Sequence, residues 1–374
     1  MRQFLRQGLR NVALDVTKRS AAAAKAAYWR VRFTRWPAQT PRRAGYSLLL
    51  PVPGDLPVFL ELALDVCSRQ SGEDRLETLV IPDTRTPEIE AIVESWRDRW
   101  PGVLRIVDLP RPERWILPWL KDPGRNHGVQ LIAGTNAAVA DHVMLHDADL
   151  FMLDPTLHDD SYRRAVREGL DVVGVEGAWD DWYNRHQRTL AATWEQLSRI
   201  DWLRSVAPHR HLGHDAVLWG ERHTFDTTFW AQCHTAQDRI VVTGESDRIV
   251  HFNYVISTYR RLQRTSGTVH DGNFRLLLIR LFIDLFANVP VPYAVPELDD
   301  LAAAIGDEGA RVHYLAADGA GYRRFIAKFR SVLDGPLVDP TRRRAADEAL
   351  AEFEQTFGTE ASVDSMAKDG VVQR

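Results

Sequence analysis

The chain has 374 residues, with 47 Lys and Arg against 51 Asp and Glu, and 45% of its residues are apolar. These are ordinary globular values, and they exclude wholesale disorder, a collagen-like chain and a polytopic membrane protein. No charge-free apolar run reaches the length of about eighteen residues that a membrane-spanning helix needs, and the two cysteines, Cys67 and Cys233, suit a reducing compartment.

The net charge of −4 hides a division. Residues 1–43 carry eleven basic side chains and one acid, Asp15, whereas the remainder holds 36 basic and 50 acidic residues. In this basic arm Phe4, Leu5, Leu9, Val12 and Val16 recur at helical spacing, followed by an Ala run (Ala21–Ala24), Trp29 and Trp36. Three fates suit such a segment: lying in an anionic membrane interface, docking as a helix on the acidic body, or acting as an Arg-rich targeting sequence. A secretory signal is disfavoured, because Arg6, Arg10 and Asp15 interrupt the apolar run it requires.

From Gly45 the pattern alternates. Tyr46–Val52 predicts a buried strand, Leu56–Val66 a helix, Leu76–Ile81 a second strand, Pro87–Trp100 a helix starting after Thr86, and Val103–Val107 a third strand. Residues 127–140 predict a helix and Val143–Leu145 a fourth strand, which runs into His146-Asp147-Ala148-Asp149. Strands alternating with helices indicate βαβ units and a mainly parallel sheet flanked by helices, whose ligands bind outside the carboxyl ends of the strands. Beyond residue 150, Asp171–Val175 and Ala216–Trp219 predict further strands, and Phe274–Phe286, Gly321–Leu333 and Arg342–Phe357 predict helices. The expected layout is an arm over 1–43, a body over 44–320 divided near 160, and C-terminal helices with a loose tail over 321–374.

Asp147-Ala148-Asp149 is the most informative motif. Residues i and i+2 of an extended chain face the same way. Two carboxylates so placed can hold a hard divalent cation, and that cation can neutralise a diphosphate leaving group.

The segment Asp141–Pro155, DHVMLHDADLFMLDP, resembles the Asp-x-Asp region of nucleotide-sugar glycosyltransferases of the GT-A fold. Three further segments are similar to the family-2-like branch of that fold: Ser47–Pro53 to its first strand, Leu79–Thr84 to its second, and Gly124-Arg125-Asn126-His127-Gly128 to the element before the Asp-x-Asp helix. The resemblance implies a GT-A fold, Mn²⁺ or Mg²⁺ as cofactor, and a nucleoside diphosphate sugar as donor. It implies donor contacts from Pro51, Asp83, Arg125, Asn126 and Asp147, and a metal held by Asp147 and Asp149 with His313 completing the site. Gly244-Glu245-Ser246-Asp247 resembles the acidic motif of inverting members, which makes Asp247 the first candidate for general base and Glu245 the second. Ser246 departs from that motif in one register.

Each residue also has a plainer reading. Asp83 can cap the helix near Pro87, Arg125 can be a surface ion-pair partner, Asn126 can stabilise a turn, and the acids at 245 and 247 can serve a helix N-terminus. His209, His211 and His214 alternate, but no Cys or second His pair supports zinc. His214-Asp215 instead suggests contact with a sugar, and Trp179, Asp180, Asp181 and Trp182 suggest either a stacking platform or core. The function expected is metal-dependent transfer of a sugar to a hydroxyl acceptor, such as a small molecule or a lipid-linked or cell-envelope glycan. The expected location is the cytoplasm, peripheral to the inner face of the membrane. The alternatives are a membrane-associated scaffold that binds sugar nucleotides without turnover, and a phosphohydrolase, which Phe151 disfavours where Thr or Val is needed. Neither a dinucleotide fingerprint nor a P-loop is present, and no nucleic-acid partner is expected of so acidic a body.

Overall fold

The computed structural model describes residues 24–120, 123–176, 181–243, 248–251, 327, 330–335, 343–344, 347–348 and 351. Helix α1 covers residues 24–32. Strand β1 (Arg43–Val52) is buried from Gly45 onward, as expected of an apolar run with a strand on each side. Then follow α2 (Val58–Ser68), β2 (Arg75–Pro82), α3 (Pro87–Arg97), β3 (Val103–Ile106), α4 (Arg111–Leu120), α5 (Pro123–Ala137) and β4 (Ala140–His146). The next elements are β5 (Leu150–Met152), α6 (Leu157–Glu168), β6 (Val172–Glu176), α7 (Asp181–Arg185), β7 (Ala191–Arg199) and α8 (Ile200–Arg204). A hairpin of β8 (His214–Leu218) and β9 (Glu221–Phe225) leads to α9 (Phe229–Cys233), β10 (Ile240–Thr243) and β11 (Ile249–His251).

Seven strands form one sheet in the order β10-β6-β7-β4-β1-β2-β3. All neighbours are parallel except β7, which runs antiparallel to both β4 and β6. The fold is therefore α/β with a mixed, mainly parallel sheet, as the alternating pattern implied. Alternation along each strand sorts the core into two layers. Leu48, Leu50, Val80 and Met144 pack under α2, α3 and α6, while Leu49, Leu79, Ile81, Val143 and Leu145 face α1, α4, α5 and α8. Helix α3 starts where the sequence suggested: Thr86 Oγ1 accepts from the Ile89 amide at 3.4 Å, with Pro87 in the first turn.

Several boundaries differ from expectation. Helix α3 ends at Arg97, α5 begins at Pro123 and stops at Ala137, and residues 140–142 join the strand. The strand expected at Ala216–Trp219 runs from His214 to Leu218, with Trp219 in the turn, and it belongs to the separate β8–β9 hairpin. Strand β7 has no counterpart in the predicted elements, because Thr193, Glu195, Gln196 and Ser198 imitate a solvated pattern although every residue from Ala191 to Ser198 is buried. Strands β6, β7 and β10, which follow residue 160 in the chain, belong to the same sheet as β1 to β4. Most of the helices expected at Phe274–Phe286, Gly321–Leu333 and Arg342–Phe357 lies outside the described residues, although residues 330–334 are helical.

The described part of the basic arm is docked on the body. Trp29 and Phe33 stack on each other at 5.6 Å and are buried in the second core layer. Arg32 pairs with the fully buried Glu113 of α4 at 2.7 Å. The Phe33 carbonyl accepts from the His209 amide at 3.1 Å, and Trp36 Nε1 donates to the Val206 carbonyl at 2.7 Å. Removing the Trp29 ring should therefore behave as a core truncation. Trp29→Ala is expected to lower the free energy of unfolding by about 3–5 kcal/mol. Val31→Ala, on the outer face of the same helix, should change it by less than about 0.5 kcal/mol. Urea unfolding of both variants measures the contrast.

Candidate active site

Strand β1 has β2 on one side and β4 on the other, and the chain reaches them in opposite directions, which makes their carboxyl ends a topological switch point. Pairing of β1 with β4 stops at Leu49↔Leu145, while pairing with β2 continues to Val52↔Pro82. Pro51 sits in that extension, opposite Ile81, where a residue without an N–H is tolerated because β1 has only one neighbour left. Gln130 of α5 reaches up from the core layer, and its Nε2 donates to the carbonyls of Ile81 (2.6 Å) and Val52 (3.1 Å).

Asp83 ends β2. Its amide donates to the Val52 carbonyl at 3.1 Å, and its Oδ1 accepts from the Gly54 amide at 2.8 Å. It does not cap α3, a task taken by Thr86. Gly54 lets the two loops meet: a Cβ there would lie 1.8 Å from the Thr84 carbonyl oxygen.

Asp147 follows β4 directly. Its amide donates to the Trp194 carbonyl of β7 at 2.8 Å, and its own carbonyl accepts from the Leu150 amide at 3.3 Å, so Asp147-Ala148-Asp149 is a tight turn between β4 and β5. Strand β5 pairs antiparallel with β11 in the register Leu150↔His251, which sets His251 beside Asp149. Its Nε2 lies 3.5 Å from Asp149 Oδ1, and its ring stacks on Trp194 at 4.6 Å. Ligand atoms of Asp147, Asp149 and His251 all lie within 4.8 Å of one another. Two carboxylates and an imidazole at that spacing fit one divalent cation with ligand bonds of about 2.0–2.4 Å.

His127 of α5 also reaches Asp147, with Nε2 3.0 Å from its Oδ1. Burial pulls the His127 imidazole down, but Asp147, Asp226 and Asp149 outweigh it and raise its pKa. Burial pushes the Asp147 carboxyl up, and His127, His251 and His146 together hold it below the ordinary carboxylate value.

A second cluster lies behind the turn. Glu195 of β7 accepts from His146 Nδ1 at 2.6 Å and from His158 Nε2 of α6 at 2.8 Å, and all three side chains are almost wholly buried. The donor set could suit a metal, but these separations are those of short, charge-assisted hydrogen bonds. Burial pulls His146 down, yet Cys67 and Glu195 hold it well above its ordinary value, whereas burial leaves His158 lowered. The charged form is thus favoured at His146 and the neutral form at His158, and the two histidines lower the Glu195 carboxyl, despite its burial, to about 2.

The remaining expected site residues are dispersed. Arg125 and Asn126 lie in the first turn of α5. Burial lowers the His214 imidazole, and hydrogen bonds from Thr224 and Arg222 lower the Asp215 carboxyl, with the Arg125 charge adding a smaller push to each. Asn126 Oδ1 is buried with no hydrogen-bond partner among the described residues. His214 Nδ1 donates to the Leu212 carbonyl at 2.6 Å, while Asp215 accepts from Arg222 and Thr224 across the hairpin, each at 2.8 Å. Glu245, Asp247 and His313 lie outside the described residues, as do Trp179 and Asp180. Trp182 is core: it stacks on His223 at 4.2 Å and on Trp219 at 5.3 Å. His211 is also core; burial pushes it down to about 4, and its Nε2 donates to the Leu203 carbonyl at 2.7 Å.

His127, His251, His146, His158 and Glu195 were not among the expected site residues. His127 stands inside the Gly124–Gly128 segment and could have been found there. His251 is brought in by strand pairing over a hundred residues of chain, which no local pattern signals.

No protein-family model matches the chain, and no curated protein matches it in sequence. Solved structures do match. Residues 1–349 of TarS from S. aureus are 14% identical, with 88% of this chain and 93% of that one covered and a TM-score of 0.37. The mannosyltransferase PcManGT from Pyrobaculum calidifontis, in complex with GDP-Man and Mn²⁺, is 14% identical over 96% of this chain and 89% of that one, with a TM-score of 0.38. Glucosyl-3-phosphoglycerate synthase from Mycobacterium tuberculosis, with Mn²⁺ and UDP-glucose, is 16% identical over 66% of this chain and 80% of that one, with a TM-score of 0.37. Each of these likenesses is at low sequence identity.

Gly54→Ala should force the Thr84 carbonyl away and release Asp83 from its amide partner. A loss of about 2–4 kcal/mol in unfolding free energy is expected, measured by urea titration. Glu195 supplies a pH dependence. Its carboxyl is lowered from 4.5 to about 2, so the stability it contributes is present above the unfolded pKa and is lost as pH falls through the folded one. Unfolding free energy should therefore drop between about pH 4.5 and 2, and Glu195→Gln should flatten that part of the profile.

Proposed function

We propose that this chain is a metal-dependent glycosyltransferase, moving a sugar from a nucleoside diphosphate sugar to a hydroxyl acceptor. The observation that carries the reading is the convergence of Asp147, Asp149 and His251 at the carboxyl ends of the parallel strands, where α/β sheets bind ligands. The imidazole among the donors favours Mn²⁺ over Mg²⁺, because Mg²⁺ prefers an all-oxygen shell. A divalent cation bound there supplies charge neutralisation to a diphosphate leaving group. His313 stays a further candidate ligand beside His251.

The chain's own residues have distinct tasks in this reading. His127 holds one oxygen of Asp147 and so orients the carboxylate. Pro51 and Asp83 border the crevice that takes the donor base, with Gly54 fixing the Asp83 carboxylate. Arg125, Asn126 and His214 face the donor's sugar and diphosphate, and Asp215 braces the hairpin that carries His214. As the acceptor oxygen bonds to the anomeric carbon, the bond from that carbon to the diphosphate breaks and its electron pair leaves with the diphosphate. The acceptor proton passes to a carboxylate, Asp247 as first choice and Glu245 as second. Residues 44–320 form the transferase unit, with the arm before it and residues 321–374 appended. The basic arm suits a location at the cytoplasmic face of the membrane and an acceptor that is lipid-linked or part of an envelope glycan.

Calorimetry with a panel of nucleoside diphosphate sugars and Mn²⁺ tests the donor site. Binding that disappears when the metal is chelated is expected, and no binding of any donor with Mn²⁺ present would overturn the reading. Asp149→Ala should then cut turnover by more than about 100-fold, beyond the loss typical of an outer-shell partner. Unchanged turnover would remove the carboxylate from the site.

A further inference from the structure

Helices α1 and α4 lie side by side in the layer that covers one face of the sheet. The Arg32–Glu113 pair joins them at 2.7 Å, and Trp29 and Phe33 of the α1 segment share a core cluster with Leu117 of α4. Among the described side chains, each helix turns its inward residues to the core and leaves one large apolar residue strongly exposed. Val31 is 78% exposed and Trp115 is 77% exposed, which makes them the two most exposed large apolar residues described. A helical step of two residues from Trp29 or Phe33, and from Glu113 or Leu117, turns about 200°, so both side chains point away from the protein.

The exposed charges of helix α1, of Arg35 just beyond it and of α4 have one sign. Arg30, Arg35, Arg111 and Arg114 are all exposed. Residues 24–32 contain no acid, and Glu113, the one acid of α4, is fully buried against Arg32. An exposed indole and valine, with four exposed arginines on the same two segments, fit a boundary with an apolar interior and an anionic rim. They fit an acidic protein surface less well, because such a partner would leave Trp115 and Val31 without an apolar counterpart.

We infer that the outer face of α1 and α4, centred on Val31 and Trp115, is a docking surface for an anionic lipid bilayer. Trp115 and Val31 enter the headgroup layer, and Arg30, Arg35, Arg111 and Arg114 meet the lipid phosphates. In the chain, α4 is followed after residues 121–122 by α5, whose His127 lies 3.0 Å from Asp147. A bilayer held at this surface would supply a lipid-borne hydroxyl, a consequence that rests on the transferase reading, whereas the lipid contact does not.

The test is co-sedimentation of the full chain with phosphatidylcholine vesicles and with vesicles containing about one-third phosphatidylglycerol. Binding to the anionic vesicles alone, weakened by salt, is expected. Trp115→Ala should lower that binding about tenfold, and Arg111→Glu with Arg114→Glu should lower it at least about thirtyfold. Val166→Ala, an exposed apolar change on α6, should leave it unaltered. All four altered residues are exposed, and matching circular dichroism spectra establish that the variants are folded. Variants that bind like the parent would overturn the proposal, leaving the lipid contact to residues 1–23. Equal binding to both vesicle types, or to neither, would overturn it too, as would capture by polyglutamate of a chain that ignores vesicles. Donor calorimetry on the same preparations keeps the two readings apart: vesicle binding without donor binding sinks the transferase and leaves the surface.

Discussion

Past Leu49, strand β1 loses β4 as a partner while β2 continues alongside it to Val52. Parting strands expose backbone carbonyls and amides that must find other partners, because a buried unpaired group costs about 1–3 kcal/mol. Gln130 satisfies two of the carbonyls, and the Asp83 side chain satisfies the Gly54 amide. The gap so lined is where Asp83 and Asp147 are delivered from neighbouring strands. The crevice and its polar edge thus share one cause, the reversal of strand order around β1.

Holding Asp147 and Asp149 there takes a second device. A buried Glu195 would be expensive alone, but two imidazoles share its charge, and one of them belongs to the residue just before Asp147. Backbone hydrogen bonding from Asp147 to Trp194 ties the same turn to the same strand. Strand β7 therefore anchors the acidic turn through both a side chain and the main chain. Its antiparallel direction suits this, since it sets Glu195 opposite His146 in register.

The first half of the fold was legible because its strands are apolar runs and its helices have clear starts, as at Thr86. The acidic motif was legible for the same reason, standing at the end of such a run. Strand β7 was not, since its buried polar residues are partnered by side chains far away in sequence and look solvated in isolation. His251 was equally hidden, because it reaches Asp149 only through pairing of β5 with β11. The histidines at 209 and 211 were ambiguous in sequence and are explained by packing, the first against Phe33 and the second against Leu203. The arm divides likewise: Trp29 and Trp36 fix its described part to the body, whereas Val31 faces outward.

The β5–β11 ladder is three residue pairs long, and it is continued by the Leu153 amide donating to the Arg248 carbonyl at 2.7 Å and held by Ile249 and Val250 in the main core. His251 thus owes its place beside Asp149 to the packing of β11, and in the transferase reading the packing and the cation support each other. A cation that takes His251 as a ligand adds its binding energy to the ladder, so the backbone amides of residues 249–251 should exchange with solvent more slowly as the metal concentration rises.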